Sequence, residues 1–352
     1  MTKQSFENVL DESDKSVAEF KPERRSFIGQ LQHILHGNIT IVPMIVLILS
    51  CIGFGLVAGD RFFTTFNMSL IIQQVTIIGI LGISQTLIIL TAGIDLSVAA
   101  IMVLTSVVMG NFAVNMGVPA FLAIPIGFIV GMVCGAVNGL LITRFKLPPF
   151  IATLGTWNIF FALNLWYSGS QSIRSQSIDK VAPSLKFFGE RVEIFGTQFT
   201  YGSFLMVFLC ILFWYLLNRT AWGKHVYAVG DDPEAAELSG IRTKRILMSV
   251  YIVAGLLCGI AAWAAVGRIG SISPQSFYEG NLEAITAVVI GGTSLFGGRG
   301  SVVGTIIGAL IVGVFRNGLA LAGVDVLWQV FAIGWLIIIA VAFDQWVRKV
   351  SS

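Results

Sequence analysis

The stretch LIIQQVTIIGILGISQTLIIL, Leu70–Leu90, decides the fold, because it contains no charged residue from end to end. About 20 consecutive apolar residues are enough for one helix to cross the hydrocarbon core of a bilayer. Comparable stretches recur between Ile39 and Val347. The sequence therefore predicts an all-α, polytopic membrane protein with about ten transmembrane helices.

Composition indicates the same class. Of the 352 residues, 55% are hydrophobic and only 12% are charged, whereas a soluble domain carries about 25% charged residues. The net charge of +3 is small and the basic residues gather at the ends of apolar stretches. We therefore expect the chain to contact membrane lipid and not to bind nucleic acid. The cysteines lie inside apolar stretches without the spacing of a zinc site or a disulfide framework, so no metal site is predicted.

The apolar stretches define the predicted spans. They are Ile39–Ala58, Leu70–Leu90, Leu96–Met116, Pro119–Thr143, Pro149–Tyr167, Tyr201–Leu217, Leu247–Val266, Leu282–Phe296, Val302–Leu321 and Val326–Val347. Because lysine and arginine crowd the cytoplasmic ends of membrane helices, this arrangement places both termini in the cytoplasm. We predict a cytoplasmic N-terminal tail at residues 1–38 and a transmembrane domain at residues 39–349. Its loop at residues 219–246 is cytoplasmic, and its loop at residues 168–200 is periplasmic.

Small residues recur at helix-packing spacing within several predicted spans. Gly127, Gly131 and Gly135 follow one another at every fourth position, as do Gly304 and Gly308. Such stripes let helix backbones approach closely in lipid, where no hydrophobic force drives helices together. The sequence therefore predicts a tightly packed bundle.

The segment TAGIDLS, Thr91–Ser97, places a carboxylate between two apolar stretches. An ionisable group at membrane depth is costly and is usually paired or functional. We expect Asp95 to cap a helix that begins at Leu96, because its carboxylate can accept backbone N–H groups at the positive helix end. The motif of Gly93, Asp95 and Ser97 could also orient a hinge in a broken or re-entrant helix, and the sequence leaves that choice open.

A polar segment interrupts the apolar stretches between Gly223 and Arg245, and its centre reads DDPEAAELSG. Asp232 stands where a helix N-cap is expected, Pro233 fits the first helical position and Gly240 is a typical stop. These signals predict a short, independent cytoplasmic helix. Such a helix could be a plain connection, but a rigid body with defined ends is also what a partner protein needs as a docking element.

The segment GGTSLFGGRG, Gly291–Gly300, is superficially similar to a phosphate-binding loop. It lacks the Lys-Ser/Thr pair and the preceding strand that such a loop requires. We therefore predict a flexible turn between two spans, with no nucleotide bound by this segment.

Amide side chains inside the apolar stretches are candidates for the lining of a polar cavity. Two of them lie among aromatic residues on one predicted span, and rings together with amides suit a sugar path. Hydrogen bonds between helices explain such amides equally well. The candidates are Gln73, Gln74, Gln85, Asn138, Asn158 and Asn164.

Four segments together make the chain resemble a known family. They are Thr91–Ser97, Pro149–Thr156, Ala235–Ile241 and Val288–Gly300. As a set they resemble the ribose-type permeases of bacterial ABC sugar importers. Within that family, further segments are most similar to a fructose-importing subgroup of rhizobia, namely Arg219–Gly223, Tyr227–Ala236 and Phe343–Trp346.

The resemblance implies a non-catalytic subunit that carries a monosaccharide, fructose first and ribose or a similar sugar next, across the bacterial inner membrane. It implies a homodimer, two ATP-binding subunits on the cytoplasmic side and a periplasmic sugar-binding protein. ATP would be used by the partner subunit, and this chain would bind no cofactor. The family's coupling role falls on Asp232, Pro233, Glu234, Ala235, Ala236, Glu237, Leu238, Ser239 and Gly240.

The turn between Arg268 and Glu283 would then face the binding protein, with Arg268 and Glu279 as candidate contacts. The main alternative is an ion-coupled secondary sugar transporter, which usually carries ionisable residues at the midplane of the membrane. Here the interior carboxylates reduce to Asp95 and Glu283, both near predicted span ends. A membrane-embedded enzyme is disfavoured, because the sequence shows no Ser-His or paired-carboxylate constellation.

Overall fold

Apolar helices dominate the computed structural model, which describes residues 40–194 and 196–349. The predicted N-terminal tail, residues 1–38, lies outside the described residues. In chain order the helices are α1 (Ile41–Ala58), α2 (Thr65–Leu90), α3 (Val98–Gly110), α4 (Ala120–Thr143), α5 (Pro149–Ser168), α6 (Ser175–Val181), α7 (Tyr201–Arg219), α8 (Ala221–Asp231), α9 (Pro233–Leu238), α10 (Thr243–Ile269), α11 (Gly280–Ile290), α12 (Val302–Leu321) and α13 (Val326–Lys349).

One element departs from the all-α prediction. Two short strands, β1 (Arg191–Ile194) and β2 (Thr197–Thr200), form an antiparallel hairpin inside the predicted periplasmic loop. The same loop contains α6 and a 3-10 turn at Pro183–Gly189. The loop therefore has secondary structure of its own and is more than a plain connection.

The described residues contain seven helices that are long and apolar enough to cross a membrane, so the expected count of about ten is not confirmed. α11 has only 11 residues, because Gly291 and Gly292 end it and Gly292 takes a φ of +86°. α5 has 20 residues but falls outside the seven, since polar side chains lower its hydropathy. Each predicted span nevertheless overlaps a helix. Hydropathy thus locates the helices without deciding how many of them cross the bilayer.

Glycines bring neighbouring helices into backbone contact. A Cβ atom at Gly131 of α4 would overlap the carbonyl oxygen of Gly255 in α10. A Cβ atom at Gly308 of α12 would overlap the carbonyl oxygen of Ala287 in α11. Only glycine permits these approaches, so the close packing predicted from the spacing is confirmed at Gly131 and Gly308.

α2 runs through the bundle and connects its two ends. Near the start of α2, the hydroxyl of Ser69 donates to the carbonyl oxygen of Gln198 in β2. At its last residue, the carbonyl oxygen of Leu90 accepts the N–H of Gly298 at 3.0 Å. The hairpin and the loop after α11 therefore lie at opposite ends of α2.

α2 and α3 are separated by Thr91–Ser97, a segment without regular structure that is largely buried. α11 begins beside the start of α3, because Nδ2 of Asn281 donates to the carbonyl oxygen of Leu96 at 3.1 Å. Non-helical backbone is tolerated at membrane depth where it is buried in protein or lines a cavity. The structure therefore shows a non-helical break at this point, with two helices starting side by side.

Candidate functional site

α9 is the helix that the sequence predicts from Asp232 to Leu238, and its start is built as expected. Oδ1 of Asp232 accepts the N–H groups of Glu234 at 2.9 Å and Ala235 at 3.0 Å. Pro233 occupies the first helical position, where its missing N–H would have had no partner within the helix. The cap therefore satisfies backbone donors that a helix of six residues cannot bond internally.

The end of α9 is equally well defined. The N–H of Ile241 donates to the carbonyl oxygen of Ala236 at 3.0 Å, and Gly240 takes a φ of +85°. A glycine in this left-handed conformation is a common helix stop. Ala236 is the buried residue of α9, whereas Leu238 is 90% exposed. α9 is therefore a defined, solvent-facing body with an apolar side chain near its end.

α8, which the sequence reasoning missed, joins α9 to the bundle. Nε1 of Trp222 donates to the hydroxyl of Ser249 in α10 at 2.9 Å. The hydroxyl of Tyr227 donates to the carbonyl oxygen of Gly300 at 2.9 Å, and burial raises the pKa of Tyr227. α8 is thus bonded to α10 and to the loop that precedes α12.

The last turn of α8 meets two other segments at a glycine junction, formed by Gly230, Gly297 and Gly298 with Leu90. A Cβ atom at Gly230 would overlap the carbonyl oxygen of Leu90, and one at Gly297 would overlap the carbonyl oxygen of Gly230. Gly297 and Gly298 take φ values of +84° and +69°, which glycine adopts without strain. The junction fixes the end of α8 against the end of α2 and the loop after α11.

A buried polar cluster occupies the break between α2 and α3, with Asp95 at its centre. Oδ1 of Asp95 accepts the backbone N–H and the hydroxyl of Ser97, both at 2.6 Å. Nδ2 of Asn138 donates to the Ser97 hydroxyl at 2.8 Å and to Oδ2 of Asp95 at 3.3 Å. Asp95 is 2% exposed, while Ser97 and Asn138 are fully buried. The cluster therefore ties the start of α3 to α4.

The expectation that Asp95 caps a helix beginning at Leu96 is wrong. α3 begins at Val98, and its N-cap is Ser97. Leu96 lies outside the helix, and its N–H donates to the hydroxyl of Thr153 in α5 at 3.2 Å. The Asp95 carboxylate accepts a single backbone N–H, that of the N-cap residue, and its other oxygen faces Asn138.

Two of the predicted cavity-lining amides belong to this cluster. Asn138 accepts the hydroxyl of Thr156 at 2.7 Å in addition to its contacts above. Gln85 is fully buried beside the backbone of Asp95. In the amide orientation that matches donors with acceptors, Gln85 donates to the Asp95 carbonyl at 3.1 Å and accepts the Asp95 N–H at 3.2 Å. The structure thus brings together polar residues from α2, α4, α5 and the break.

The other predicted amides lie apart from the cluster and from one another. Gln73 and Asn164 are buried and donate to neighbouring groups of the chain. Asn158 is exposed and bonds within its own helix. Gln74 lies on the wall of a cavity between α2, α10, α11 and α12. Whether the six amides line a transport path stays a prediction, and Gln74 has the cavity position that such a role requires.

The two predicted contacts of a binding protein, Arg268 and Glu279, lie on the wall of the same cavity. That wall also carries an ion pair between Oε1 of Glu283 and Nη2 of Arg316, 2.6 Å apart. The sequence reasoning missed this pair because its members lie on α11 and α12. The sequence did contain one signal for the pair: Glu283 and Arg316 each lie inside an apolar stretch, where ionisable groups are usually paired.

These features define a class of protein. Long apolar helices surround buried polar groups, and a short capped helix, α9, is exposed outside them, as expected of a multi-pass membrane permease. Residues 67–341 match the family described as the permease component of branched-chain amino acid transport systems. The chain belongs to this family of permeases.

Individual relatives are similar over most of their length. The chain is 55% identical over 349 residues to the fructose import permease protein of Rhizobium meliloti, covering 99% of this chain and 97% of that protein. It is 39% identical over 293 residues to the ribose import permease protein of Bacillus subtilis strain 168, covering 82% and 88%. It is 35% identical over 328 residues to the D-allose transport system permease protein of Escherichia coli K12, covering 93% and 96%. These relatives confirm the resemblance to ribose-type permeases. No solved structure matches the chain significantly.

Proposed function

We propose that this chain is the membrane-spanning permease subunit of an ABC importer that carries a monosaccharide across the bacterial inner membrane. Fructose is the first sugar to consider, because the fructose import permease is similar over almost the whole chain. Ribose or a similar sugar is the next, because relatives include ribose and allose permeases. The observation that carries the proposal is α9, a capped and exposed helix that α8 fixes to the glycine junction.

In the proposed cycle, partner subunits bind and hydrolyse ATP, and this chain performs no covalent chemistry and binds no cofactor. Movement of the partner displaces α9. Because α8 is bonded to Gly300 and packed against Leu90, the displacement reaches the end of α2 and the loop after α11. α11 in turn starts beside α3, where Asn281 bonds to Leu96. Movement at the cytoplasmic face can therefore change the spacing of helices inside the bundle.

The proposed assembly is a homodimer with two ATP-binding subunits on the α9 face and a sugar-binding protein on the opposite face. In this orientation both termini and the loop at residues 219–246 are cytoplasmic, and the loop at residues 168–200 is periplasmic. The support is that the folded hairpin and the loop packed against α8 lie at opposite ends of α2. Arg268 and Glu279 remain proposed contacts of the binding protein.

The test is reconstitution of the complex in proteoliposomes with its ATPase and sugar-binding protein. Fructose-loaded binding protein is expected to stimulate ATP hydrolysis and fructose uptake. Replacement of residues 232–240 by a Gly-Ser linker of equal length is expected to abolish that stimulation, because a flexible chain cannot transmit the displacement. Undiminished stimulation in the linker variant contradicts the docking role. Uptake by the chain alone, driven by an ion gradient, favours the secondary transporter instead.

A further inference from the structure

The cavity between α2, α10, α11 and α12 has features that the proposed movement of α8 and α9 does not explain. Its volume of about 480 Å³ lies within the range of about 300–1,000 Å³ that small-molecule sites occupy. Its polar and aromatic wall residues include Gln74, Arg268, Phe277, Tyr278, Glu283 and Arg316. The cavity therefore has the size and the mixed lining of a ligand site.

The charges on the cavity wall balance. Arg316 and Glu283 form an ion pair in which the side chains are 42% and 19% exposed. Arg268 and Glu279 supply a second positive and a second negative charge. An anion would be attracted by the two arginines and repelled by the two glutamates, and the reverse holds for a cation. The wall therefore favours a neutral ligand that can both donate and accept hydrogen bonds.

Hydrogen-bonding groups on the wall lack partners within the described part of the chain. Oε1 of Gln74 is buried and has no hydrogen-bond partner there. Arg268 also forms no hydrogen bond with any residue that the structure describes, although its guanidinium offers several donors. A buried acceptor without a partner is costly. The oxygen is enclosed by the chain while another part of the side chain lines the cavity, so rotation of the Gln74 amide toward a ligand hydroxyl forms a hydrogen bond that removes that cost.

Aromatic rings complete the wall just before α11. The ring of Tyr278 lies 5.4 Å from that of Trp157 and 5.7 Å from that of Phe161, so α5 holds it in place. Phe277 takes a φ of +54°, a conformation that is strained for an aromatic residue and that clusters at functional sites. An aromatic ring offers a flat apolar face, to which the C–H face of a sugar ring is complementary.

We propose that this cavity is a binding site for a neutral monosaccharide inside the permease. Gln74 accepts a hydrogen bond from a sugar hydroxyl, Arg268 donates one, and Tyr278 packs against the sugar ring. The pair of Glu283 and Arg316 keeps the wall neutral. The inference rests on the proposed function, because it names where the transported sugar is held.

Gln74→Leu tests the site with little structural damage, because the Gln74 amide has no hydrogen bond to lose in the described chain. The full chain in lipid nanodiscs is incubated with radiolabelled fructose, and binding is measured by scintillation proximity. The unaltered chain is expected to bind fructose, and Gln74→Leu is expected to bind about tenfold more weakly. Gln74→Glu retains an oxygen acceptor and is expected to bind better than Gln74→Leu.

The matched control is Gln176→Leu, which makes the same change at an exposed position of α6 that is not on the cavity wall. It is expected to bind fructose as the unaltered chain does. Excess fructose 6-phosphate is expected not to displace the labelled sugar, because the wall carries no net charge. The proposal is overturned by displacement with the phosphorylated sugar, by equal binding of Gln74→Leu and the unaltered chain, or by an unaltered chain that binds no fructose.

Uptake in proteoliposomes separates this proposal from the proposed function. In one outcome the chain binds fructose, Gln74→Leu weakens that binding, and the complex imports no fructose. This outcome supports the site and contradicts the proposed function. In the other outcome Gln74→Leu and the unaltered chain bind fructose equally well, and their complexes import it equally well. This outcome supports the proposed function and contradicts the site.

Discussion

Asp232 and Asp95 both precede a helix, yet their surroundings are opposite. Asp232 is exposed and accepts two backbone N–H groups at the start of α9. Asp95 is 2% exposed, and Ser97 and Asn138 surround its carboxylate. The exposed aspartate shapes one short helix at the surface, whereas the buried one joins the break to α4. The same residue type therefore starts an exposed helix in one region and joins buried segments in the other.

Asp95→Ala should have the largest effect, because it removes a carboxylate that is buried among polar side chains. It leaves the buried N–H and hydroxyl of Ser97 without their acceptor, while Asn138 keeps its bond to the Ser97 hydroxyl, and we expect a loss of about 3 kcal/mol in the free energy of unfolding. The measurement is the thermal unfolding midpoint of the purified chain in detergent, together with its yield. Asp95→Asn keeps an oxygen acceptor and should lose less. An Asp95→Ala chain with an unchanged midpoint contradicts the role of the cluster.

Gly230→Ala should have the second largest effect, because it alters the contact between the end of α8 and the end of α2. The added methyl group overlaps the Leu90 carbonyl oxygen, and overpacking of this kind costs about 1–3 kcal/mol. We expect α8 to shift and the stimulation of ATP hydrolysis by fructose-loaded binding protein to fall severalfold.

Gly155→Ala is the control for this substitution, because among the described residues no other segment lies within 4 Å of a Cβ built at Gly155. It should leave the stimulation unchanged. Equal stimulation in Gly230→Ala and Gly155→Ala would show that the glycine junction does not carry the movement.

Asp232→Ala should have the smallest effect of the three on stability, because a lost N-cap costs about 1 kcal/mol. We expect α9 to fray, stimulation of ATP hydrolysis to weaken and the thermal midpoint of the whole chain to stay unchanged. Asp232→Ser retains a capping oxygen and should restore stimulation. A lowered midpoint without any loss of stimulation would reverse the roles assigned to Asp232 and Asp95.

Local signals explain why α9 could be predicted from the sequence. Its cap, first residue and stop lie between Asp232 and Gly240, so each interaction joins neighbours in the chain. The positions of the apolar helices were predictable for the same reason. α8 was missed although Val226 and Val229 have helical spacing on its buried face, because the polar residues around them resemble a loop.

Interactions between distant segments explain what the sequence could not supply. The segment just before α3 is held by the bond from Leu96 to Thr153, which lies in α5. The pairing of Glu283 with Arg316 depends on how α11 packs against α12. The position of Gln74 on a cavity wall, apart from the other predicted amides, likewise depends on four helices. In each case the residue type was informative, but its partner was set by packing.

Removal of the hydrogen bond between α8 and the loop after α11 tests most directly whether the two move as one body. The hydroxyl of Tyr227 donates to the carbonyl oxygen of Gly300 at 2.9 Å, so Tyr227→Phe removes this bond and keeps the ring. Fructose-stimulated ATP hydrolysis is compared in the unaltered complex, in Tyr227→Phe and in the control Tyr215→Phe, which makes the same change at an exposed position of α7. A severalfold loss of stimulation in Tyr227→Phe alone is predicted. Equal stimulation in all three complexes shows that α8 and the loop do not move together.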